Sequence, residues 1–361
     1  MGTVTAAAPW ALAVVAAVVM ATAAMPAVGA APAGRLAFLA FQDGALRIAS
    51  VRVTGGAPRY LTPASTTAHS PGWSPDGRRI VHAATRNGRW RIYVMNADGS
   101  HRRVLTSGDG DDIFPAVSPD GRRIAFVRRR GDDTQIYVMS GDGFGIRRVT
   151  RTPGRHMVPT WSPDGRWIAF VSTRDRGVPQ LFVMRPDGSR VRQLTRPETY
   201  VGNAHGREEK TLELSGVLLR PGMLHPAWSP DSRSLAYVTR VGRAEQQIMI
   251  VNATGGAPRR LSTGYAPAWS PDGKRIAFVV ARVGDSQIYT VNADGTHLRR
   301  LTAHGANMLP TWSPDGRWLA FLFAGRGGLG LYAMRPDGTD RRRLADAGGD
   351  LSMGPVIAWQ P

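Results

Sequence analysis

The sequence predicts an all-β fold: a seven-bladed β-propeller of four-stranded blades, closed by the C-terminal strand joining the N-terminal blade. Two observations predict it. The phrase Trp-Ser-Pro-Asp-Gly recurs at intervals of roughly 41 to 47 residues, with one longer interval, which is the period of a four-stranded blade. After residue 34, short β-rich runs and turn residues fill each repeat, without a helix-period pattern of useful length. Six blades is the alternative.

The repeated phrase marks the turn between the first two strands of each repeat. Ser, Pro, Asp and Gly in this order suit a type I turn, because Pro fixes φ at the second position. The copies are Trp73–Gly77, Val117–Gly121, Trp161–Gly165, Trp228–Ser232, Trp269–Gly273, Trp312–Gly316 and the truncated Trp359–Pro361. We therefore interpret the aspartates as turn-forming residues. The indoles are expected to pack between blades rather than to stack on sugars or bases.

Each repeat contains four expected strands, labelled a to d from the centre of the propeller outward. The a strand ends at the repeated Trp, and examples of b and c are Ile124–Val127 and Ile136–Met139. The d strand ends in Arg-x-Leu-Thr or a similar sequence, as at Arg299–Thr302. The chain begins with a b strand at Arg35–Phe41 and finishes with an a strand at Val356–Trp359. We expect these two strands to pair, which removes open sheet edges.

The first 34 residues differ in composition from the rest. They carry no charged side chain and contain the apolar run Ala11–Met20, followed by the small residues Ala27–Ala30. This pattern predicts a cleaved export signal. An uncleaved membrane anchor is the alternative, because the apolar run approaches the length that spans a bilayer. We expect residues 1–34 to be this segment, residues 35–361 to be the propeller, and the protein to be exported, periplasmic or extracellular, with membrane contact only through an uncleaved N-terminal segment.

The charge of the chain favours acidic partners. All 46 Lys and Arg and all 27 Asp and Glu follow the first 34 residues, which gives a net charge of +19. The arginines recur at fixed repeat positions rather than in one stripe, so we expect no nucleic-acid partner. Cysteine is absent, which excludes disulfides, thiol nucleophiles and thiolate metal sites. We expect a monomer.

The phrase Trp-Ser-Pro-Asp-Gly-x-x-Ile-Ala-Phe, together with Ile-Tyr-Val-Met and Arg-x-Leu-Thr, resembles the WD40-like Pro-Asp repeat of TolB-like β-propellers. The resemblance covers about Arg35 to Pro361. It implies a propeller without naming a function, because similar blades occur in peptidase propellers and some polysaccharide lyases. Two departures are expected: the sequence lacks the α/β domain that precedes the propeller in TolB-like proteins, and TolB itself has six blades. Both argue against a partner role equivalent to that of TolB.

The loops that join d to a and b to c lie on one face of the ring, here called the d-to-a face. Residues just before each a strand should approach the central funnel on this face. These candidate ligand-binding residues are His69, Asp112, His156, His225, Tyr265 and Asn307. Three histidines and a carboxylate suit an open divalent-metal site. The alternative is a polar rim satisfied by water and neighbouring loops. The histidines also resemble the funnel of oligogalacturonate-lyase-like propellers, which implies a metal that acidifies a uronate α-proton.

A long insertion, Arg196–Met223, belongs to the same face. Its candidate partner-binding residues are Glu198, His205, Glu208, Glu209 and Glu213. A loop of this length is typical of a lid or a binding arm. Two charged runs have simpler interpretations: Asp109–Asp112 is expected to be a solvated acidic turn, and Arg128–Arg130 an exposed loop beside acidic residues.

Enzyme motifs fail on inspection. The sequence has no Gly-x-Ser-x-Gly elbow, no His-Glu-x-x-His motif and no phosphate-loop lysine motif. The glycines of Gly325–Gly330 match the spacing of a dinucleotide-binding fingerprint, but no helix is expected after them to bind a pyrophosphate. We therefore expect an exported, non-catalytic binding or scaffold propeller without a cofactor. It would recognise a protein or an anionic envelope component through the d-to-a face. The alternative is a metal-dependent polysaccharide lyase or hydrolase that acts on acidic saccharides in the funnel and holds a divalent metal there.

Overall fold

The computed structural model describes residues 34–175, 177–196, 212–214, 217–219, 226–241, 245–282, 285–325, 328–347 and 357–361. All the regular secondary structure in these ranges consists of β-strands, so the all-β prediction is confirmed. The expected signal or anchor segment lies outside the described residues, apart from Gly34. No helix in the described ranges combines the length and the apolar character needed to cross a bilayer.

Five four-stranded antiparallel sheets form blades I to V. Blade I contains β30 (Ile357–Trp359), β1 (Arg35–Gln42), β2 (Ala45–Arg52) and β3 (Arg59–Tyr60). Blade II contains β4 (Ala68–Trp73), β5 (Arg79–Arg86), β6 (Arg89–Asn96) and β7 (Arg103–Val104). Blade III contains β8 (Asp111–Val117), β9 (Arg123–Arg130), β10 (Asp133–Ser140) and β11 (Arg147–Arg148). Blade IV contains β12 (His156–Trp161), β13 (Ile168–Ser172), β14 (Gln180–Met184) and β15 (Arg192–Gln193). Blade V contains β18 (Ala227–Trp228), β19 (Ser234–Val241), β20 (Glu245–Asn252) and β21 (Arg259–Thr263).

Two further sheets complete the described chain. One has eight strands: β22 (Tyr265–Trp269), β23 (Arg275–Arg282), β24 (Asp285–Asn292), β25 (Arg299–Arg300), β26 (Ala306–Trp312), β27 (Leu319–Gly325), β28 (Gly328–Met334) and β29 (Arg342–Asp346). The other is a hairpin of β16 (Leu212–Leu214) and β17 (Val217–Leu219), which lies in the predicted insertion.

The predicted number of blades is wrong. The structure has five four-stranded blades rather than seven or six, because the strands of the last two repeats belong to one eight-stranded sheet. A parallel bridge between Ser286 of β24 and Ala306 of β26 joins them. The Ser286 hydroxyl donates to the Asn307 carbonyl over 3.0 Å, and the Asn307 side-chain amide donates back to the Ser286 carbonyl over 3.1 Å. Local side-chain hydrogen bonds of this kind cannot be inferred from the period of the repeat.

Strand β30 completes blade I. It pairs antiparallel with β1, with Leu36 opposite Trp359 and Phe38 opposite Ile357. Gln360 extends the contact, because its side-chain amide donates to the Gly77 carbonyl over 2.7 Å. The last described strand is thereby fixed both to the sheet that begins the propeller and to the first turn of blade II.

The repeated motifs have the structural roles that the sequence indicates. In the first turn, Ser74 donates to the Asp76 carboxylate over 2.6 Å and accepts the Arg79 N–H over 2.9 Å. Just after the d strand of blade III, the Thr150 hydroxyl accepts the Ile136 N–H over 2.8 Å. The turn aspartates and the threonines of Arg-x-Leu-Thr therefore hold strands together.

Candidate functional site

The inner strands break their pairing midway, which separates a Trp end from a rim end that faces the d-to-a loops. Pairing between β12 and β13 shifts register between Met157 and Thr160. Val158 lies in this break with φ of 47°, a left-handed value that β-branched residues rarely adopt. The same positive φ recurs three residues before the Trp position, at Ser70, Phe114, Ala266 and Leu309. The rim positions are therefore set by the same bulge in successive inner strands.

Asp112 is held in a buried ion pair. Its two carboxylate oxygens accept from Arg128, over 2.6 Å from Nε and 2.9 Å from Nη2. Asp112 is fully buried and the Arg128 side chain is 10% exposed. The hydrogen bond that Arg128 donates to the Asp112 carboxylate raises the pKa of Arg128. Both carboxylate oxygens are thus engaged by a fixed cation.

His69 is packed among aromatic rings. Its ring centroid lies 4.3 Å from that of Trp90 and 5.9 Å from that of Phe114. The Nδ1 atom is 2.8 Å from the Ser70 hydroxyl. Burial lowers the pKa of His69 to about 3, so the imidazole is neutral at physiological pH.

His156 is fully buried at the start of β12. Its Nε2 lies 3.0 Å from the Thr152 carbonyl, which requires Nε2 to carry the hydrogen and leaves Nδ1 as an acceptor. Within the described part of the chain, Nδ1 has no hydrogen-bond partner. Burial lowers the pKa of His156 to about 4, against the opposing effect of the Thr152 hydrogen bond.

Asn307 and Tyr265 lie on the eight-stranded sheet. The buried Asn307 amide donates to the carbonyls of His304 and Gly305, over 2.9 and 3.1 Å, besides its contact with Ser286. Tyr265 is half-buried, and burial raises its pKa to about 12. Both side chains therefore contribute to the packing of their own sheet.

The remaining predicted site residues are not placed by the structure. His225, Glu198, His205, Glu208 and Glu209 lie outside the described residues. Glu213 lies in β16, and only its backbone position is described.

An arginine network joins blades II and III, and the sequence interpretation missed it. The Arg91 guanidinium donates to the Gly110 carbonyl, and the Trp90 N–H donates to Asp111 over 3.0 Å. Asp111 also accepts from Arg129 over 2.6 Å. The predictions of a solvated acidic turn at Asp109–Asp112 and of an exposed loop at Arg128–Arg130 are therefore largely wrong. In the antiparallel pairing of β8 with β9, Asp111 lies opposite Arg129 and Asp112 lies opposite Arg128. The sequence does contain a signal for this pairing, because the acidic run Asp109–Asp112 and the basic run Arg128–Arg130 have similar lengths and belong to two consecutive strands.

The loops of this region also display positive charge. Arg130 pairs with Asp109 over 3.0 Å, and Arg155 of blade IV pairs with Asp132 of blade III over 3.0 Å. Three further arginines, Arg86, Arg89 and Arg151, are exposed in loops of the same face. We call Arg86, Arg89, Arg130, Arg151 and Arg155 the basic rim.

Known proteins place the repeat in a family. The family model described as the TolB beta propeller domain matches residues 25–156, 101–217 and 198–358, which together span most of the chain. The chain belongs to this family. No curated protein matches the sequence.

Solved structures share the fold of this TolB-family propeller. TolB from Acinetobacter baumannii is 21% identical with a TM-score of 0.57, and the match covers 91% of this chain and 67% of that one. An oligogalacturonate lyase in complex with manganese is 16% identical with a TM-score of 0.60, covering 88% and 86%. A puromycin-hydrolyzing peptidase from Mycobacterium tuberculosis is 16% identical with a TM-score of 0.64, covering 96% and 57%. At these identities the likeness shows the fold alone, and among these structures the fold occurs both in TolB and in enzymes.

The binding chemistry of this TolB-family rim therefore depends on the residues that the rim itself contains. Among the described residues, no three His, Asp or Glu side chains form a group that could hold a metal ion. Asp112, His156 and Asn307 make close contacts with protein groups. The exposed charged groups on the same face include the guanidinium groups of the basic rim, of which Arg130 and Arg155 are paired with Asp109 and Asp132. Guanidinium groups suit the recognition of carboxylates, phosphates and sulfates.

Proposed function

We propose that the protein is an exported, non-catalytic binding platform of the TolB propeller family. It recognises an acidic protein or an anionic envelope component through the d-to-a face. The basic rim provides the positive surface for this contact, and the insertion Arg196–Met223 belongs to the same face.

The observation that carries the proposal is the rigid display of the basic rim. Loops of blades II and III are joined by Arg91 and Trp90, and loops of blades III and IV by the Arg155–Asp132 pair. A preorganised surface loses little conformational freedom when a partner binds. Guanidinium groups carried on such a surface attract and orient an anionic partner.

The contacts of the funnel residues favour binding over metal-dependent catalysis. A metal site built on Asp112 would have to break its two hydrogen bonds with Arg128, and a buried Arg128 would then lose its counter-charge. Leaving a buried charge unpaired is strongly unfavourable. His69 is likewise committed to packing against Trp90 and Phe114. We therefore assign recognition to the exposed rim rather than chemistry to the funnel.

Polygalacturonate tests the proposal, because it is an acidic saccharide that can be both bound and cleaved. The full chain is expected to bind it with an affinity that falls as salt rises. The triple change Arg86→Glu, Arg89→Glu and Arg151→Glu should weaken binding about tenfold or more, because repulsion replaces attraction at the contact. Binding is measured by titration calorimetry, and cleavage by the appearance of unsaturated uronate.

Charge reversal on the opposite face is the matched control. Arg78, Arg233 and Lys274 are exposed immediately after the first turns of blade II, blade V and the eight-stranded sheet. Their change to Glu alters the net charge by the same amount and should leave the affinity within about twofold, since they lie away from the contact. Equal losses in both triple variants would contradict the proposed face. Cleavage of the polymer that depends on an added divalent metal would contradict the non-catalytic assignment.

A further inference from the structure

The face opposite the basic rim carries an exposed apolar group on blades III and IV. Phe144 is 73% exposed, and Ile146 and Val191 are 36% and 42% exposed. Phe144 and Ile146 lie between β10 and β11, and Val191 lies between β14 and β15. We call Phe144, Ile146 and Val191 the turn patch.

Phe144 replaces a residue that has a structural role in equivalent turns. At its position other repeats have Ser100, Thr296 and Thr339, whose hydroxyls donate to the turn aspartates over 2.7, 2.7 and 2.6 Å. Phe144 cannot make this hydrogen bond, and its ring lies mostly in water. The substitution thus removes a local hydrogen bond and exposes a large apolar side chain, without a packing gain that would explain it.

The turn patch is held rigidly. The Phe144 N–H donates to the Ser140 hydroxyl over 2.9 Å, and the Ser140 N–H donates to the Phe144 carbonyl over 2.9 Å. The neighbouring turn is tied to it, because Arg147 donates to the Pro186 carbonyl over 3.1 Å. Phe144 therefore projects from a fixed backbone, and its turn is linked to the one that carries Val191.

Positive charge surrounds the turn patch. Arg190 is exposed in the turn that carries Val191, and Arg147 and Arg192 are exposed at the starts of β11 and β15, which follow the two turns. The acidic residues of these turns are Asp142 and Asp187, and each accepts a hydrogen bond within its own turn. Hydrogen bonds from Ser140 and Ser189 lower the pKa values of these two carboxyls. Exposed apolar side chains with flanking arginines are the combination that binds the interface of an anionic bilayer.

We propose that the turn patch docks on an anionic membrane surface, with Phe144 entering the interface and the arginines contacting lipid phosphates. A bilayer fits this site because exposed apolar side chains and several arginines lie together in neighbouring turns. Docking in this way turns the d-to-a face, on the other side of the ring, away from the membrane. The inference goes beyond the proposed function and does not depend on it.

Vesicle binding by the full chain tests the proposal. The probes are vesicles of phosphatidylcholine containing phosphatidylglycerol, and vesicles of phosphatidylcholine alone. Phe144→Ser, which restores the residue type of the equivalent turns, should retain the fold and lower the partition onto the anionic vesicles about tenfold or more, because burying a Phe is worth at least that factor. Arg190→Gln should lower it about fivefold. Leu298→Ser is the matched control, because Leu298 is 58% exposed in a turn outside blades III and IV.

A labelled probe separates this docking from any contact of the N-terminal segment. The chain contains no cysteine, so Ser189→Cys and Thr296→Cys each allow one environment-sensitive fluorophore. The label at 189 should shift to the blue on anionic vesicles, and the label at 296 should not. The proposal is overturned by equal shifts at both positions, by an unchanged partition of Phe144→Ser, or by an equal loss in Leu298→Ser. Concentration-dependent dimers that Phe144→Ser abolishes, without vesicle binding, would assign the turn patch to a second copy and also overturn it.

Discussion

Individual tryptophans connect neighbouring inner strands by a repeated hydrogen bond. Each indole Nε1 donates to the carbonyl just before the equivalent position of the preceding inner strand. The pairs are Trp73 with Ala358, Trp161 with Ala116, Trp228 with Thr160, Trp269 with Ala227, Trp312 with Ala268 and Trp359 with Thr311, at 2.9 to 3.2 Å. Val117 cannot make this bond, and blades II and III are joined at the other end of β8 by the arginine network.

Trp228→Phe should destabilise the protein by about 2 kcal/mol, because it leaves the Thr160 carbonyl without its donor and shrinks a buried side chain. The bond it removes is 3.2 Å long, and Trp228 is 3% exposed. Urea denaturation followed by circular dichroism measures the change.

Trp167→Phe is the comparison for that experiment. Trp167 is half-buried, and the Arg185 guanidinium lies 4.5 Å from its ring centre. The Trp167→Phe change should lower the free energy of unfolding by less than about 1 kcal/mol, which is the scale of an exposed cation–π contact. Equal losses in the two variants would show that bulk, rather than the hydrogen bond between sheets, determines the effect.

At the scale of the strand, the Arg-x-Leu-Thr motif joins the c and d strands. The threonine hydroxyl accepts a buried backbone N–H of the c strand, as in Thr62 with Ile48, Thr106 with Ile92, Thr150 with Ile136, Thr195 with Leu181 and Thr302 with Ile288. Thr150 also donates to the Gln135 side chain over 2.8 Å. The Thr150 hydroxyl therefore forms a hydrogen bond with one buried donor, the Ile136 N–H, and with one buried acceptor, the Gln135 side chain. The short d strand ends before it could pair with these groups.

Thr150→Val should destabilise the protein by about 1 to 3 kcal/mol, because the buried Ile136 N–H loses its acceptor while the side-chain shape is kept. Thr150→Ser retains the hydroxyl and should cost less than about 1 kcal/mol, since only a methyl group is lost. Chemical denaturation of both variants checks the ranking. A more severe effect of the Ser variant would contradict the hydrogen-bond explanation.

Strands and turns could be predicted from the sequence because their signals are local. Pro, Asp and Gly at fixed offsets specify the turn at Ser74–Gly77, and short β-rich apolar runs such as Ile124–Val127 specify strands such as β9. The eight-stranded sheet could not be predicted, because it depends on one bridge between Ser286 and Ala306. The same limit applies to the funnel: the sequence shows that Asp112 exists near an inner strand, but not that Arg128 occupies both of its oxygens.

For the molecule as a whole, buried histidines link stability to pH. Burial lowers the pKa of His69 and His82 to about 3 and that of His156 to about 4. The unfolded chain protonates near the ordinary histidine value of about 6.5, so it binds more protons than the folded chain below that pH. The contribution of these neutral residues to stability is therefore complete above about pH 6.5 and falls as the pH is lowered toward the folded pKa values.

His82→Phe should reduce this pH dependence. Phe occupies the equivalent b-strand position in Phe38, Phe126, Phe170, Phe278 and Phe321. The gain in unfolding free energy at pH 5 should exceed the gain at pH 8 by about 2 kcal/mol, because the unfolded His82 no longer takes up a proton. Urea titrations at both pH values measure it. The reciprocal change, Phe126→His, should lose more stability at pH 5 than at pH 8, and an equal loss at both would contradict the linkage.

Removal of residues 357–361 should open blade I. The edge of β1 would lose its pairing with β30, and an exposed edge strand promotes association with other chains. We expect self-association by light scattering and a lower denaturation midpoint. Gln360→Ala removes only the hydrogen bond to Gly77 and should cost about 1 kcal/mol while the protein stays monomeric.

Blade I also has a consequence for how the chain folds. Strands β1 and β30 come from opposite ends of the described sequence, so they have the largest separation along the chain of any two paired strands among the described residues. Closing so long a loop carries a large entropic cost and slows the step that needs it. The other blades are each built from consecutive strands and can form first, so the joining of the two ends is the expected rate-limiting event of folding.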